Sequence, residues 1–224
     1  MLRLMALAAL SLTMFGSAPA LAQKATFYTA TYVEVGPVLA KVGATALLAY
    51  RAAARKDEGA EILDVFQRVE QSNQFVVLGA WADRKAFEAH EAGGASKKLN
   101  EKLATLLASP TDTRTHEALA ATPARTGKDP IIVVTHVDVI PPEKDNAANA
   151  LEQLADQSRK QSGNLRFDVW RQTNRPNHFT LLEAWASRGA FDLHQMQKET
   201  RQFRARLAPM LGALYDERLY KAMQ

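Results

Sequence analysis

One short segment, "LLEAWASRGAFDLH", brings two side chains able to do proton chemistry, Glu183 and His194, beside a flat apolar wall, Trp185. At strand spacing Glu183 shares a face with Phe179, Leu181 and Trp185, and a carboxylate buried there unpaired is costly. It is therefore either held by a cation, such as a helix arginine, or poised as a base. His194 lies about one helical turn after Phe191, so the two share a face. A neutral imidazole in that place serves as a base or a hydrogen-bond partner, or is a satisfied histidine where helix meets sheet. Trp185 is either the wall of a slot for a flat ring or part of the core. A second stretch, "LGAWADRKAFEAH", carries Trp81 and His90 at the same spacing, with Gly79 in the place of Glu183. Glycine offers no proton acceptor, so the later stretch holds the fuller set and is the expected working site.

The likeness extends well beyond these stretches. Trp185 and Trp81 differ by 185 − 81 = 104, and the same offset relates Val33 to Val137, Pro37 to Pro141, Gly59 to Gly163, Asp64 to Asp168, Phe75 to Phe179 and Arg114 to Arg218. A constant offset through strands, helices and turns is the mark of a duplicated domain. In each copy a β-branched run ("FYTATYVEV", "IIVVTHVDV") is followed by a proline that opens a helix and a glycine that closes it. Two strands joined by a polar turn come next, then a helix capped by Asp83 or Ser187 and interrupted in the first copy at "EAGGA", then a last strand. The order βαββαβ, twice, predicts two tandem ferredoxin-like domains of the α+β class. Each sheet would leave one face bare, and packing the two together gives a pseudo-dimeric α+β barrel within one chain, with no second chain needed. The expected boundaries are 23–119 and 131–224, joined by the Pro- and Gly-containing linker 120–130. Within the copies Trp170 answers to Phe66, and His136 to Tyr32. His136 either faces a ligand or is a plain exposed strand position.

Residues 1–22 carry Arg3, an apolar run too short to span a membrane, and Ala20-Leu21-Ala22, which reads as a signal peptide cleaved after Ala22. A secreted or periplasmic location is the expectation. The chain has no cysteine, which excludes disulfides, thiolate nucleophiles and thiolate metal sites. A net charge of +4 is spread among interleaved acids and bases, as on a solvated surface and not in a nucleic-acid groove. No phosphate loop or metal-binding motif is present, and no metal or cofactor is expected.

The strand ending in Glu-x-Trp, the short turn, and the helix with a His nine residues after the Trp resemble the antibiotic biosynthesis monooxygenase and quinol monooxygenase domains of the dimeric α+β barrel superfamily. Copy two shows the pattern in full as Glu183, Trp185 and His194; copy one lacks the Glu, and neither has the second His common in that family. The resemblance implies oxidation by O2 of a small electron-rich aromatic, a quinol or anthrone, without flavin, haem or metal. It gives His194 and Glu183 catalytic roles, and a slot for the ring among Trp185, Trp170, Phe191, His136, Trp81 and His90. A non-catalytic periplasmic binding or structural module for small aromatic compounds is the alternative.

Overall fold

The computed structural model describes residues 26–122 and 127–223; the leader reading falls outside them. Each repeat opens with a strand of alternating β-branched and aromatic residues, β1 (Phe27–Glu34) and, in the second repeat, β5 (Ile131–Asp138). Pro37 and Pro141 start single 3₁₀ turns, where a missing N–H costs nothing, and these lead into helices α1 (Ala40–Ala54) and α4 (Lys144–Ser158). The chain then turns at Gly59 (φ +76°) and Gly163 (φ +81°). A Cβ at either would come within 2.6 Å of Ala86 or Ala190, so both the backbone and the space require glycine. The hairpins β2 (Ala60–Arg68) with β3 (Gln74–Trp81), and β6 (Asn164–Gln172) with β7 (His178–Trp185), follow.

Asp83 and Ser187 cap the next helices, accepting from the amides of Ala86 and Ala190 at 2.8 and 3.1 Å. Each repeat has two helices in this stretch, as the interruption at "EAGGA" foreshadows in the first repeat and nothing foreshadows in the second. The first repeat has α2 (Arg84–Glu91) and α3 (Gly94–Leu103); the second has α5 (Arg188–Met196) and α6 (Lys198–Leu207). The break falls where Gly93 and Gln197 adopt extended backbone, with ψ of 170° and 147°. Its consequence is local and important. It folds Ser96 and Thr200, at the start of the later helices, back onto the histidines that end the earlier ones. Strands β4 (Asp112–Ala120) and β8 (Asp216–Ala222) complete the repeats.

The eight strands form a closed antiparallel barrel in the order β1-β3-β2-β8-β5-β7-β6-β4. The repeats do more than face one another. Their edges also join, with Phe66 opposite Ala222 where β2 meets β8 and His116 opposite Gln172 where β4 meets β6. Closure removes the free edges that two separate sheets would expose. It also creates three cores. Phe75, Val77 and Trp81 pack under the helices of the first repeat, and Phe179, Leu181 and Trp185 under those of the second. The third core fills the barrel lumen with side chains of both repeats, among them Tyr28, Leu78, Trp170, Leu182 and Tyr220.

Candidate functional site

In the second repeat the expected trio does assemble between sheet and helices. The Trp185 indole and the His194 imidazole stack at 4.6 Å, and Phe191 and Phe167 close the other sides of the imidazole. Trp185 Nε1 donates to Glu183 Oε2 at 2.8 Å, and His194 Nε2 lies 3.8 Å from the same oxygen. The other ring nitrogen, Nδ1, meets Gln161 Oε1 at 2.8 Å. Since an amide oxygen only accepts, the proton sits on Nδ1. Burial pushes the Glu183 carboxyl up to about 8 and the His194 imidazole down to about 4, so both are neutral at pH 7. Among the described residues no arginine forms a salt bridge with Glu183; Arg204 instead pairs with Glu217 at 2.7 Å.

Trp170 and His136 do not join this cluster. Both point to the other side of the sheet, where Trp170 stacks on Tyr28 at 4.9 Å and His136 meets His178 at 3.2 Å. Trp81 and His90 form the matching cluster of the first repeat.

That cluster is wired differently. Thr29 stands directly across the ladder from Gly79, as Val133 does from Glu183. Trp81 Nε1 therefore donates to Thr29 Oγ1 at 3.1 Å in place of a carboxylate. A Cβ on residue 79 would come within 2.6 Å of Nε1 and 2.5 Å of Oγ1, so the exchange of acceptor and the glycine go together. His90 Nδ1 meets Asp57 Oδ2 at 2.7 Å, and Tyr50 Oη lies 2.6 Å from Nε2. With the Nδ1 proton facing the acceptor-only carboxylate, Nε2 accepts from the Tyr50 hydroxyl. Burial raises the Tyr50 phenol, with Glu91 adding to the shift, which keeps it a donor.

The two repeats also differ in room. In the first, Tyr50 and Ser96 border a cavity of about 150 Å³ together with Thr31, Glu91, Asn100 and Thr113. In the second, Thr111, Asn100 and Thr113 are replaced by Tyr215, Arg204 and Glu217. These lock together across the same place: Arg204 stacks 3.8 Å over Tyr215, pairs with Glu217 and donates to Gln195. The second repeat thus keeps the carboxylate and fills the space, whereas the first keeps the space and presents Tyr50 to it, with His90 and then Asp57 in line behind. Among the described residues no group of three or more His, Cys, Asp and Glu is placed to hold a metal ion, and no helix is long and apolar enough to cross a membrane.

Sequence reasoning found His90 but not Tyr50, Asp57, Ser96 or Thr29. Asp57 had a readable signal, since it lies two residues before the positive-φ glycine just as Gln161 does, and each accepts from its repeat's histidine. Tyr50 had none, because its counterpart is Leu154 and the pair reads as core.

The neutral buried histidines make the fold acid-sensitive. His116 is lowered to about 3 and His194 to about 4, both chiefly by burial. Unfolded, each takes up a proton near pH 6.5, so below that value the unfolded chain binds more protons than the folded one. Each costs about 1.4 kcal/mol per pH unit from 6.5 down to its folded value. Glu183 works the other way over the same range, and the two imidazoles outweigh it. Thermal melts are expected to fall from pH 6.5 to pH 5, and His116→Gln to flatten the fall; a melting temperature that rises on acidification would contradict the assignment.

Residues 40–102 and 130–206, together well over half of the chain, match the model of the antibiotic biosynthesis monooxygenase family. A Bacillus subtilis protein named "Putative monooxygenase YcnE" is 24% identical over 86 residues, covering 38% of this chain and 90% of its own length. Among solved structures, a "Putative monooxygenase" from Fusobacterium nucleatum superposes with a TM-score of 0.79 at 14% identity, over 90% of this chain and 94% of its own. An "anthrone oxidase-like protein" does so with a TM-score of 0.72 at 16% identity, over 91% and 93%. At such identities these structures establish a shared fold, including the barrel over both repeats.

Proposed function

Given that this chain belongs to the antibiotic biosynthesis monooxygenase family, we propose that it oxidises a small electron-rich aromatic, a single-ring quinol, with O2 and no added cofactor, in the cavity of its first repeat. The observation that carries this reading is the line Asp57–His90–Tyr50 ending at that cavity. Autoxidation of such a ring needs its anion, and a free phenol with a pKa of about 10 is nearly all neutral at pH 7. A ring hydroxyl hydrogen-bonded to Tyr50 Oη passes its proton there while Tyr50 gives its own to His90 Nε2, and Asp57 stabilises the imidazolium. The ring anion then supplies both electron pairs that reduce O2. One oxygen atom enters the ring, giving a hydroxyquinone, and the other leaves as water. Thr31, Ser96, Asn100 and Thr113 are polar groups available to orient hydroxyls. A volume of about 150 Å³ lies below the ~300 Å³ lower end for drug-sized ligands, which favours one ring over several. With the leader reading of residues 1–22, the reaction belongs outside the cytosol.

The test is an oxygen electrode with purified protein and simple hydroquinones. Oxygen consumed in proportion to hydroxyquinone formed, above the uncatalysed rate, is the expected result. Saturable binding without oxygen uptake would favour the non-catalytic binding module instead.

A further inference from the structure

Beside the pocket of about 150 Å³, which is itself open to solvent at Glu91, Asn100 and Thr111 and is called the inner cavity below, a groove of about 510 Å³ lies between α1 and α3, walled by Ala46, Ala49, Ala53 and Ala95, with Lys98 and Lys102 also lining it. Tyr50 and Leu99 line both hollows, so these two side chains form the partition between groove and cavity. The second repeat shows what the same place looks like when it is closed. There Gln153, Gln157 and Glu199 replace Ala49, Ala53 and Ala95. Arg206 donates to Gln153 at 3.1 Å, and the hollow shrinks to about 170 Å³. Neither Lys98 nor Lys102 forms an ion pair among the described residues.

We infer that the groove binds the apolar arm of an anionic amphiphile whose aromatic ring lies in the adjoining pocket on the other side of Tyr50 and Leu99, its carboxylate resting at Lys98 and Lys102. The inference rests on reading the inner cavity as the ring site. Three features favour this occupant. The inner cavity holds a single ring and the groove is more than three times larger, so the larger part of a fitting ligand lies outside. The groove's walls are mostly apolar, four alanines with Val42 and Leu99, and gain from covering hydrocarbon. The unpaired ammonium groups select a negative end.

The experiment is anaerobic titration calorimetry, in which binding is read without turnover, using hydroquinone, decyl-hydroquinone and the same compound with a terminal carboxylate. The intact protein is expected to bind both long probes at least about tenfold more tightly than hydroquinone, as burial of several methylenes requires. The Ala49→Gln/Ala53→Gln variant, built from side chains the second repeat already carries, is expected to lose that preference. Lys98→Gln/Lys102→Gln, two surface changes that put the fold at no risk, should weaken the carboxylated probe several-fold relative to the neutral one. Equal affinity for all three probes, or a preference that survives the alanine changes, overturns the inference. So does a concentration-dependent dimer that the alanine changes dissolve, since a second copy would then be the occupant. A protein that shows the preference but consumes no oxygen leaves the groove assigned and refutes the oxidation instead.

Discussion

Tyr50→Phe is expected to lower quinol-dependent oxygen uptake by about 10² to 10⁴ fold, the usual contribution of a positioned proton acceptor, with little change in melting temperature. The substitution removes one oxygen atom and keeps the ring that separates cavity from groove. It breaks the line at its first member, so a bound hydroxyl no longer has an acceptor that can hand a proton onward to His90 Nε2. Asp57→Asn should cost less and report differently. The amide can hold the imidazole by its oxygen but cannot offset its positive charge, so the rate falls most where transfer to His90 limits, and raising the pH recovers part of it. His90→Ala should abolish uptake, but it also removes a buried ring packed on Trp81 and held by Tyr50, Asp57 and Ser96. Melting curves must accompany it for that reason. The opposing outcome is specific: if Tyr50→Phe is as active as the parent while His194→Ala at unchanged stability is inert, the working site lies in the second repeat.

The reason the sequence pointed to the second repeat is instructive. A 104-residue offset exposes which residues are shared, and shared residues here are those that build the fold: the helix-closing glycines, the capped helices, the Trp–His stack. Architecture was legible for this reason, down to the caps at Asp83 and Ser187. The split of the second helix is signalled in the first copy, where the double glycine at 93–94 reads as a helix interruption, and escapes in the second, where a lone Gln197 carries no breaking signal. Site chemistry resides in the differences, and a difference in one sequence has no sign. Glu183 against Gly79 looked like a base lost from the first copy. In three dimensions it is an exchange of partners for a tryptophan N–H, made with Val133 against Thr29 on the neighbouring strand. The differences that open the cavity, Thr111 against Tyr215 and Thr113 against Glu217, sit at the end of a loop and on an edge-forming strand, where variation is expected and draws no notice. The resemblance implies a slot that joins Trp170 to His194. Strand parity, with Phe167 and Val169 facing the helices, puts Trp170 in the lumen.

The second large effect concerns stability, and follows from Glu183 being an acid in a place built for a neutral group. Its carboxyl is 2% exposed, accepts from Trp185, and is raised to about 8 by burial. The folded chain therefore holds a proton there that the unfolded chain, with an ordinary carboxyl near 4.5, releases. Between those values the folded state binds more protons, so this group's contribution is complete at low pH and is lost as pH rises, by about 1.4 kcal/mol per unit. Glu183→Gln keeps the shape and an oxygen to accept from Trp185, and has no proton to lose. It is expected to leave stability within about 1 kcal/mol at pH 5 and to raise it by on the order of 3 kcal/mol at pH 8. Denaturant midpoints for the two proteins should therefore diverge as pH rises. Oxygen uptake by the same variant should stay at the parent level, because Glu183 is bonded to Trp185 in the second repeat and takes no part in the Asp57–His90–Tyr50 line of the first. A carboxylate kept for catalysis would give the converse, a more stable protein at pH 8 that no longer consumes oxygen, and that pairing would return the site to the second repeat. A midpoint gap that does not widen between pH 5 and pH 8 would mean that Glu183 is ionised in the fold, held by Arg204 in exchange for Glu217.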